Sequence, residues 1–181
     1  FGLSVGIIDA FVGDKLVGIL NGIDREVWNP ATDPALPVRY DADDLRGKEA
    51  SGDALRSTMG LEPGGPVLGL VSRFADQKGI DLLLGAAPSL LARGWRLALL
   101  GSGAPDLEAW TAKLATANPG RVAARIGYAE DLAHLIYAGA DALAIPSRFE
   151  PCGLSQLIAM RYGTLPVARA TGGLRDTIDH G

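Results

Sequence analysis

Charged side chains and paired glycines recur in this sequence directly after short apolar runs. Arg73 and Lys78 follow one run in SRFADQKG, Glu150 follows another in PSRFEPCGLSQ, and Gly172 and Gly173 follow a third in ATGGLRDT. Guanidinium and ammonium groups bind phosphate, and glycines before a helix let backbone N–H groups hold an anion. A carboxylate beside free amides suits the hydroxyls of a sugar, because carboxylates accept hydrogen bonds and amides donate them. Together these residue types suit a diphosphate joined to a hexose.

Each of these features also has a purely structural interpretation. Lys78 lies near the first turn of a predicted helix, where a cation is unfavourable by ~0.3–1 kcal/mol, so either a phosphate or pairing with Asp76 or Asp81 would offset it. Glu150 can equally be an acid stabilised by a helix dipole, with Pro151 in the first turn. The paired glycines can form a plain turn. The ligand hypothesis is favoured because all these features converge on loops of one predicted sheet edge.

Three further segments have alternative interpretations. Tyr128 is either a core residue or a ring that stacks on a nucleobase. The loop GSGAPD resembles a dinucleotide fingerprint, but Asp106 replaces its third glycine and would oppose a pyrophosphate, which favours a tight turn. Residues 2–6 fit the hydrolase pattern G-x-S-x-G, yet no strand precedes them and only His180 could complete a triad, so a hydrolase is not expected.

From residue 66 onward, short apolar runs alternate with segments of helical period. The predicted strands are residues 66–71, 95–100, 122–126, 142–145 and 164–168, and the predicted helices are 79–92, 105–117, 130–138 and 153–162. Strand starts 20 to 30 residues apart predict an α/β fold, a Rossmann-like parallel sheet with helices on both faces. Ligands of such sheets bind beyond the carboxyl ends of the strands. The expected site loops are therefore residues 72–78, 101–105, 127–130, 146–153 and 171–173.

The first 65 residues are less regular, and we interpret residues 1–65 as a lead-in to a nucleotide-sugar-binding domain at 66–181. Within the lead-in we predict a strand at 15–20, an irregular loop at 21–30, a surface excursion at 31–44 rich in Asp and Pro, and a helix at 48–59 that Gly60 ends. The chain opens at Phe1 without a Met and stops just after a predicted helix start at 174–179, so we expect a piece of a longer protein.

Composition excludes several classes of function. Seventeen Lys and Arg against 21 Asp and Glu give a net charge of −4, so nucleic acid is not an expected partner. The lone Cys152 cannot form an internal disulfide, and His134 and His180 lie 46 positions apart, which predicts neither a zinc cluster nor any other metal site. No apolar run approaches the ~18–20 residues of a membrane span, so a soluble protein without a membrane partner is expected.

The sequence resembles bacterial glycogen synthase and plant starch synthase, the ADP-glucose-dependent α-1,4-glucan synthases of glycosyltransferase family 5. The resemblance covers residues 16–178. It is carried, in family order, by LVGILNGIDREVWNP, VSRFADQKGIDLLL, LALLGSGAPDLE and IGYAEDLAHLIYAGADALAIPSRFEPCGLSQLIAMRYGTLPVARATGGLRDTI. It implies a GT-B type enzyme of two Rossmann-like domains facing across a cleft, of which this chain is the C-terminal half.

The resemblance also implies roles for individual residues. Arg73 and Lys78 would hold the ADP phosphates and stabilise the leaving group, Glu150 would hold the donor glucose, and Tyr128 would lie against adenine. The remaining donor-binding residues would be the amides and side chains of the glucose and phosphate loops: Cys152, Gly153, Leu154, Ser155, Thr171, Gly172 and Gly173. Ser155 stands where threonine is commoner and keeps the hydroxyl. Related enzymes of this architecture carry a second glutamate where this chain has Ile158, as is usual for the glycogen synthase type, so the ribose must be held differently.

The implied reaction moves glucose from ADP-glucose to the non-reducing 4-hydroxyl of an α-1,4-glucan with retention, without a cofactor or metal. The expected partners are ADP-glucose, the glucan and the N-terminal domain of the same enzyme, and the expected compartment is the bacterial cytoplasm, or the plastid of a plant. One alternative is a glycosyltransferase of the sucrose or glycan type that uses another nucleotide sugar, against which Ile158, Cys152 and Gln156 weigh. A second is a nucleotide-binding module that is inert without its partner domain.

Overall fold

The computed structural model describes residues 21–179 and contains a five-stranded parallel sheet. The strands, in the sheet order β3-β2-β1-β4-β5, are β1 (Val67–Val71), β2 (Arg96–Gly101), β3 (Val122–Ile126), β4 (Ala142–Ile145) and β5 (Leu165–Ala168). The predicted parallel sheet is confirmed, with each strand end within one residue of its expected place. The strand predicted at 15–20 lies outside the described residues.

Helices cover both faces of this sheet, as predicted. They are α1 (Arg46–Met59), α2 (Ile80–Ala92), α3 (Pro105–Ala117), α4 (Glu130–Gly139), α5 (Ser155–Arg161) and α6 (Gly173–Thr177), with a 3₁₀ turn at Asp76–Lys78. Helices α1, α4 and α5 pack on one face, and α2 and α3 on the other. The starts predicted for α1, α2, α5 and α6 are wrong by one or two residues. In the case of α5, Gly153 has φ of +76°, which no α-helix contains. Throughout residues 21–179, no helix combines the length and apolarity that crossing a membrane requires.

The central strands supply the core because both of their faces are covered. Leu97 and Leu99 of β2 face α2 and α3, whereas Ala98 and Leu100 face α1 and α4, and all four are buried. Each fully buried leucine contributes roughly 1.5–3 kcal/mol. The apolar sequences of β2 and β4, RLALLG and ALAI, are those expected of parallel strands covered by helices on both faces. The edge strand β5 is instead largely exposed.

The segment 31–44, predicted as a surface excursion, is anchored in the core by three of its residues. Asp33, Leu36 and Tyr40 are buried, although most of their neighbours are exposed. The Asp33 carboxylate accepts hydrogen bonds at 2.7 Å from His134 Nδ1 and at 2.5 Å from the Tyr162 hydroxyl. The prediction is therefore wrong for these positions, because partners on α4 and just after α5 neutralise a side chain whose type suggests exposure.

Helix α1 is fixed to the same face by a lysine. The Lys48 ammonium donates to the carbonyls of Ala138, Ala140 and Tyr162 at 2.9, 3.3 and 3.2 Å, and to the Thr164 hydroxyl at 2.8 Å. Two of these carbonyls end α4 and one follows α5, where helix dipoles favour a cation. The lead-in helix is thus tied to the end of the sheet opposite the candidate site.

Candidate functional site

The five strand-to-helix loops meet along the carboxyl edge of the sheet, as expected, and are hydrogen-bonded to one another. The Gly127 amide donates to Gly101, the Phe74 amide to Ser102, the Arg148 amide to Gln77 and the Gly173 amide to Glu150, at 2.7–3.0 Å. This sequence of bonds follows the order of the strands. The loops therefore form one continuous rim, to which we refer as the carboxyl rim.

Lys78 and Glu150, 72 residues apart in sequence, form an ion pair at the centre of this rim. Lys78 Nζ lies 2.5 Å from Glu150 Oε2, which also accepts a hydrogen bond from the Ser147 hydroxyl at 3.0 Å. The Lys78 side chain is 24% exposed and that of Glu150 10%, so the pair faces a pocket rather than open solvent. Among the described residues Glu150 Oε1 has no hydrogen-bond partner. One carboxylate oxygen and two ammonium protons are thus available to a ligand.

The proposed pairing of Lys78 with Asp76 or Asp81 is wrong. Both acids contact Arg148 instead: its guanidinium makes two bonds of 2.7 Å to the Asp81 carboxylate and lies 3.4 Å from that of Asp76. Hydrogen bonding to Arg148 lowers the pKa of Asp81. Arg148 also donates to the Asp76 carbonyl at 2.9 Å. It therefore joins the loop that carries Lys78 to the loop that carries Glu150, and Lys78 is left for Glu150.

The interpretation of Glu150 as a helix-capping acid is also wrong, because α5 begins only at Ser155. Pro151 is accordingly outside the first turn. Between Glu150 and the helix, the backbone amides of Cys152, Gly153 and Leu154 have no hydrogen-bond partner within residues 21–179. Gly153 and Leu154 line the pocket of the ion pair, while Cys152 is a half-exposed free cysteine beside it. Free donors and a carboxylate thus lie next to each other, as expected for a site that holds hydroxyls.

Arg73 and Tyr128 line a second cavity, of about 360 Å³, which adjoins the ion-pair pocket. The two share Val71, Ser72 and Ser155 as lining residues. The Arg73 guanidinium is exposed and has no ion pair in the part of the chain that the structure describes. Tyr128 is 85% exposed, so its interpretation as a core residue is wrong, and a hydrogen bond with Glu130 raises the pKa of its hydroxyl. A free cation and an accessible ring thus share one cavity.

The glycines of the ATGG loop allow it to approach the Glu150 loop closely. Gly172 has φ of +47°, and a Cβ there would lie 2.1 Å from the Glu150 carbonyl oxygen. The Gly173 amide donates to that oxygen at 2.9 Å, so it is not free to hold an anion as predicted. The Thr171 hydroxyl lies 3.5 Å from the Arg148 carbonyl. A phosphate-facing role stays a prediction for Thr171 and Gly172.

The GSGAPD loop is used for packing, in agreement with its interpretation as a tight turn. A Cβ at Gly101 or Gly103 would lie within about 2 Å of the Ser72 or Phe74 carbonyl oxygen, at 1.9 and 2.1 Å. Ile158, at the position of the absent second glutamate, is buried in the core. Within residues 21–179, no three His, Cys, Asp or Glu side chains are grouped as metal ligands.

Sequence reasoning missed three side chains that shape this site. Ser147 holds Glu150 Oε2, Arg148 joins two loops, and Gln156 donates to the carbonyls of Cys152 and Gly153. Arg148 carries a signal, since it is a cation inside an expected site loop. Ser147 carries no signal, because serine is ordinary at a strand end. Gln156 weighs against another nucleotide sugar, but nothing in the sequence indicates that its side chain binds the loop carbonyls.

The fold and this rim define an α/β domain of the class in which ligands bind beyond the carboxyl ends of parallel strands. Residues 65–181 match the family described as glycosyl transferases group 1. The chain belongs to this family.

Curated relatives refine the comparison. The chain is 55% identical over 166 residues to the glycogen synthase of Rhodopseudomonas palustris strain BisB18, which covers 91% of this chain and 34% of the relative. It is 52% identical over 178 residues to that of Rhodospirillum rubrum, covering 97% of the chain and 36% of the relative. The resemblance inferred from the motifs is confirmed. The chain spans about a third of the length of these relatives.

Solved structures agree. The catalytic domain of starch synthase IV from Arabidopsis thaliana, bound to ADP and acarbose, has a TM-score of 0.92 and 42% sequence identity, and the match covers 99% of this chain and 38% of that one. HepE from Anabaena, in complex with UDP and glucose, has a TM-score of 0.67 at 23% identity over 98% of this chain and 44% of its own, and shows the fold alone.

Proposed function

We propose that the protein containing this chain is a glycogen or starch synthase, which transfers glucose from ADP-glucose to the non-reducing 4-hydroxyl of an α-1,4-glucan with retention. The chain would supply the donor-binding half. The observation that carries the proposal is the Lys78–Glu150 pair, which lies beside unbonded amides and an open cavity containing Arg73 and Tyr128. Relatives named glycogen synthase, 52–56% identical to this chain, support it.

The rim offers a group for each part of the donor. Arg73 and Lys78 would bind the diphosphate, Tyr128 would stack on adenine, and the Glu150 Oε1 oxygen would accept a hydrogen bond from a glucose hydroxyl. The ion pair helps here because it holds the Lys78 ammonium at one position without using all of its protons. Two cations at the diphosphate would supply countercharge, and we propose that no metal ion is needed there.

The chemistry would be a substitution on one face of the glucose. The bond between C1 and the phosphate oxygen breaks, and its electron pair leaves with ADP, where Arg73 and Lys78 stabilise the charge. The acceptor O4 bonds to C1 from the same side, and its proton passes to the departing phosphate oxygen. A retaining glycosidase would instead place two carboxyl groups ~5–5.5 Å apart. Here Asp76 and Asp81, the acids near the neighbouring loop, contact Arg148, and among the described residues Glu150 is the single carboxylate that lines the pocket.

The rest of the enzyme would complete the site. We propose that the glucan binds mainly to an N-terminal domain across a cleft, and that this chain alone binds donor without transferring glucose. Since the relatives quoted above are bacterial glycogen synthases, the bacterial cytoplasm is the compartment we propose.

The test uses the full-length enzyme with Arg73→Ala and Lys78→Ala. Each should reduce kcat/KM for ADP-glucose by about 10²–10³-fold, the usual effect of removing a group that stabilises developing charge. Arg93→Ala and Lys113→Ala serve as matched controls, because both side chains are exposed and outside the two site pockets. Thermal unfolding of all four variants separates loss of function from loss of fold. Turnover within about twofold of the parent in a folded Lys78→Ala enzyme would overturn the assignment.

A further inference from the structure

Gln156 lies beneath the loop that contains the unbonded amides. Its side chain is fully buried at the second position of α5. Its Nε2 lies 3.1 Å from the Cys152 carbonyl, 3.0 Å from the Gly153 carbonyl and 3.0 Å from the Thr177 hydroxyl. Three acceptors around the nitrogen fix the orientation of the amide group. Within the described part of the chain, Oε1 has no hydrogen-bond partner, and it lies against Gly153, 2.5 Å from where a Cβ would be.

These bonds determine where the neighbouring N–H groups point. The described chain has no cis peptide bond, and in a trans peptide the C=O of one residue and the N–H of the next point in opposite directions. Since the carbonyls of Cys152 and Gly153 are turned towards Gln156, the N–H groups of Gly153 and Leu154 are turned away from it. Both residues line the pocket of the ion pair, and neither N–H has a partner among residues 21–179.

Gln156 is also connected, through Thr177 and Gly173, to the backbone of Glu150. The Thr177 hydroxyl that Gln156 contacts donates to the Gly173 carbonyl at 2.7 Å, and the Gly173 amide donates to the Glu150 carbonyl at 2.9 Å. A partly buried chain of hydrogen bonds thus runs from Glu150, which presents the carboxylate, to Gly153 and Leu154, which present the amides. These bonds set the position of the Glu150 residue relative to the Gly153 and Leu154 amides.

We propose that Gln156 is a positioning residue for the donor sugar. By binding the carbonyls of Cys152 and Gly153, it aims the N–H groups of Gly153 and Leu154 at the hexose of the nucleotide sugar, opposite the Glu150 carboxylate. The inference rests on the proposed function. It differs from a purely structural role for Gln156 because it concerns recognition of the hexose and leaves recognition of the nucleotide unchanged.

The test compares ADP with ADP-glucose on the full-length enzyme. Gln156→Met keeps the length of the side chain and removes the donor, so the loop carbonyls lose their partner. We expect the ratio of the Kd for ADP-glucose to the Kd for ADP, measured by calorimetry, to differ from that of the parent by about tenfold or more. The Kd for ADP should stay within about twofold of the parent value, and kcat should fall by about tenfold or more. Thr177→Val, which leaves both loop carbonyls bonded, should change the ratio less than Gln156→Met does.

A second measurement needs no variant. In the parent enzyme labelled with ¹⁵N at glycine and leucine, the Gly153 and Leu154 amide resonances should shift further with ADP-glucose than with ADP. An unchanged Kd ratio in a folded Gln156→Met enzyme, or equal shifts with both ligands, would overturn the inference while leaving the proposed function intact. A parent enzyme that binds neither ligand would overturn the proposed function and this inference with it.

Discussion

An ion pair and a hydrogen-bonded histidine–carboxylate pair in this chain have opposite surroundings. Lys78 and Glu150 meet at the carboxyl rim, where the lysine side chain is 24% exposed and one carboxylate oxygen has no partner among the described residues. Asp33 of the lead-in segment contacts His134 of α4, and their side chains are 0% and 8% exposed.

Both oxygens of the buried carboxylate are hydrogen-bonded. Asp33 accepts bonds from the Ala35 amide, His134 and the Tyr162 hydroxyl, so both of its oxygens are used. Trp28 stacks on the His134 ring at a centroid distance of 4.1 Å. Burial and the Asp33 carboxylate raise the pKa of Tyr162 well above its usual range. A carboxylate with both oxygens bonded within the protein stabilises the fold, whereas a carboxylate with an unbonded oxygen can bind a ligand.

Asp33→Ala should give the largest change in stability. It leaves His134 and the Tyr162 hydroxyl buried without their acceptor, which costs about 3 kcal/mol in the free energy of unfolding. Urea unfolding of the full-length enzyme measures this, and kcat per folded molecule should stay within about twofold. Asp33→Asn, which keeps an acceptor oxygen, should lose less. The comparison fails if Asp33→Ala lowers turnover strongly at unchanged stability.

The sequence predicts the fold well because its signals are local. Apolar runs of four to six residues and the period of the helices depend on neighbours only, and the strand ends follow to within one residue. Helix α5 starts late because Gly153 takes a left-handed conformation, and no pattern in the letters shows that conformation.

Which charged side chains form ion pairs, by contrast, depends on which strands are neighbours in the sheet. The loops after β1 and β4 contain three cations, Arg73, Lys78 and Arg148, and two acids, Asp76 and Glu150. Spacing in the sequence alone favours an ion pair between Lys78 and a nearby acid. Only the adjacency of β1 and β4 brings Glu150 to Lys78, 72 residues away. In the same way Asp33 finds His134 across 101 residues. Residue type predicts a site at the rim but not which of its charges neutralise one another.

Variants of the Arg148–Asp81 ion pair test whether Arg148 binds the ligand directly or only positions the two loops that it joins. Arg148→Met and Asp81→Asn should each lower kcat about tenfold, and the double variant should lose little more, which corresponds to a coupling energy of about 1–2 kcal/mol. If Arg148 bound phosphate directly, Asp81→Asn would free it and strengthen ADP binding instead. Steady-state kinetics and ADP titration of the three variants decide between the two.

The stability contributed by the Arg148–Asp81 ion pair depends on pH in a defined range. Hydrogen bonding to Arg148 lowers the pKa of Asp81 in the folded chain. Its contribution to stability is therefore fully present above the ordinary aspartate pKa of about 3.9 and is lost as the pH falls through the lower folded value. Near neutral pH, the difference in stability between Asp81→Asn and the parent should not depend on pH.

Lys48 is an intermediate case, a partly buried cation held by three carbonyls and a hydroxyl rather than by a carboxylate. Burial lowers its pKa from 10.5 to about 8. Between these values the unfolded chain binds more protons than the folded one, so stability should rise with pH from about 8 to 10.5. We expect a rise of ~1–2 kcal/mol, below the full linkage value because the residue is partly exposed.

Subtracting the profile of Lys48→Met isolates this effect, because the tyrosines, Cys152 and the other lysines titrate in both proteins. Lys113→Met, at an exposed position on α3, should leave the profile of the parent unchanged. A difference that stays flat from pH 8 to 10.5 and falls only above pH 10.5 would mean that the four acceptors around Nζ favour the ammonium more than burial opposes it. Lys48 would then belong with the fully satisfied groups such as Asp33, and the division between satisfied and unsatisfied charges would become sharper.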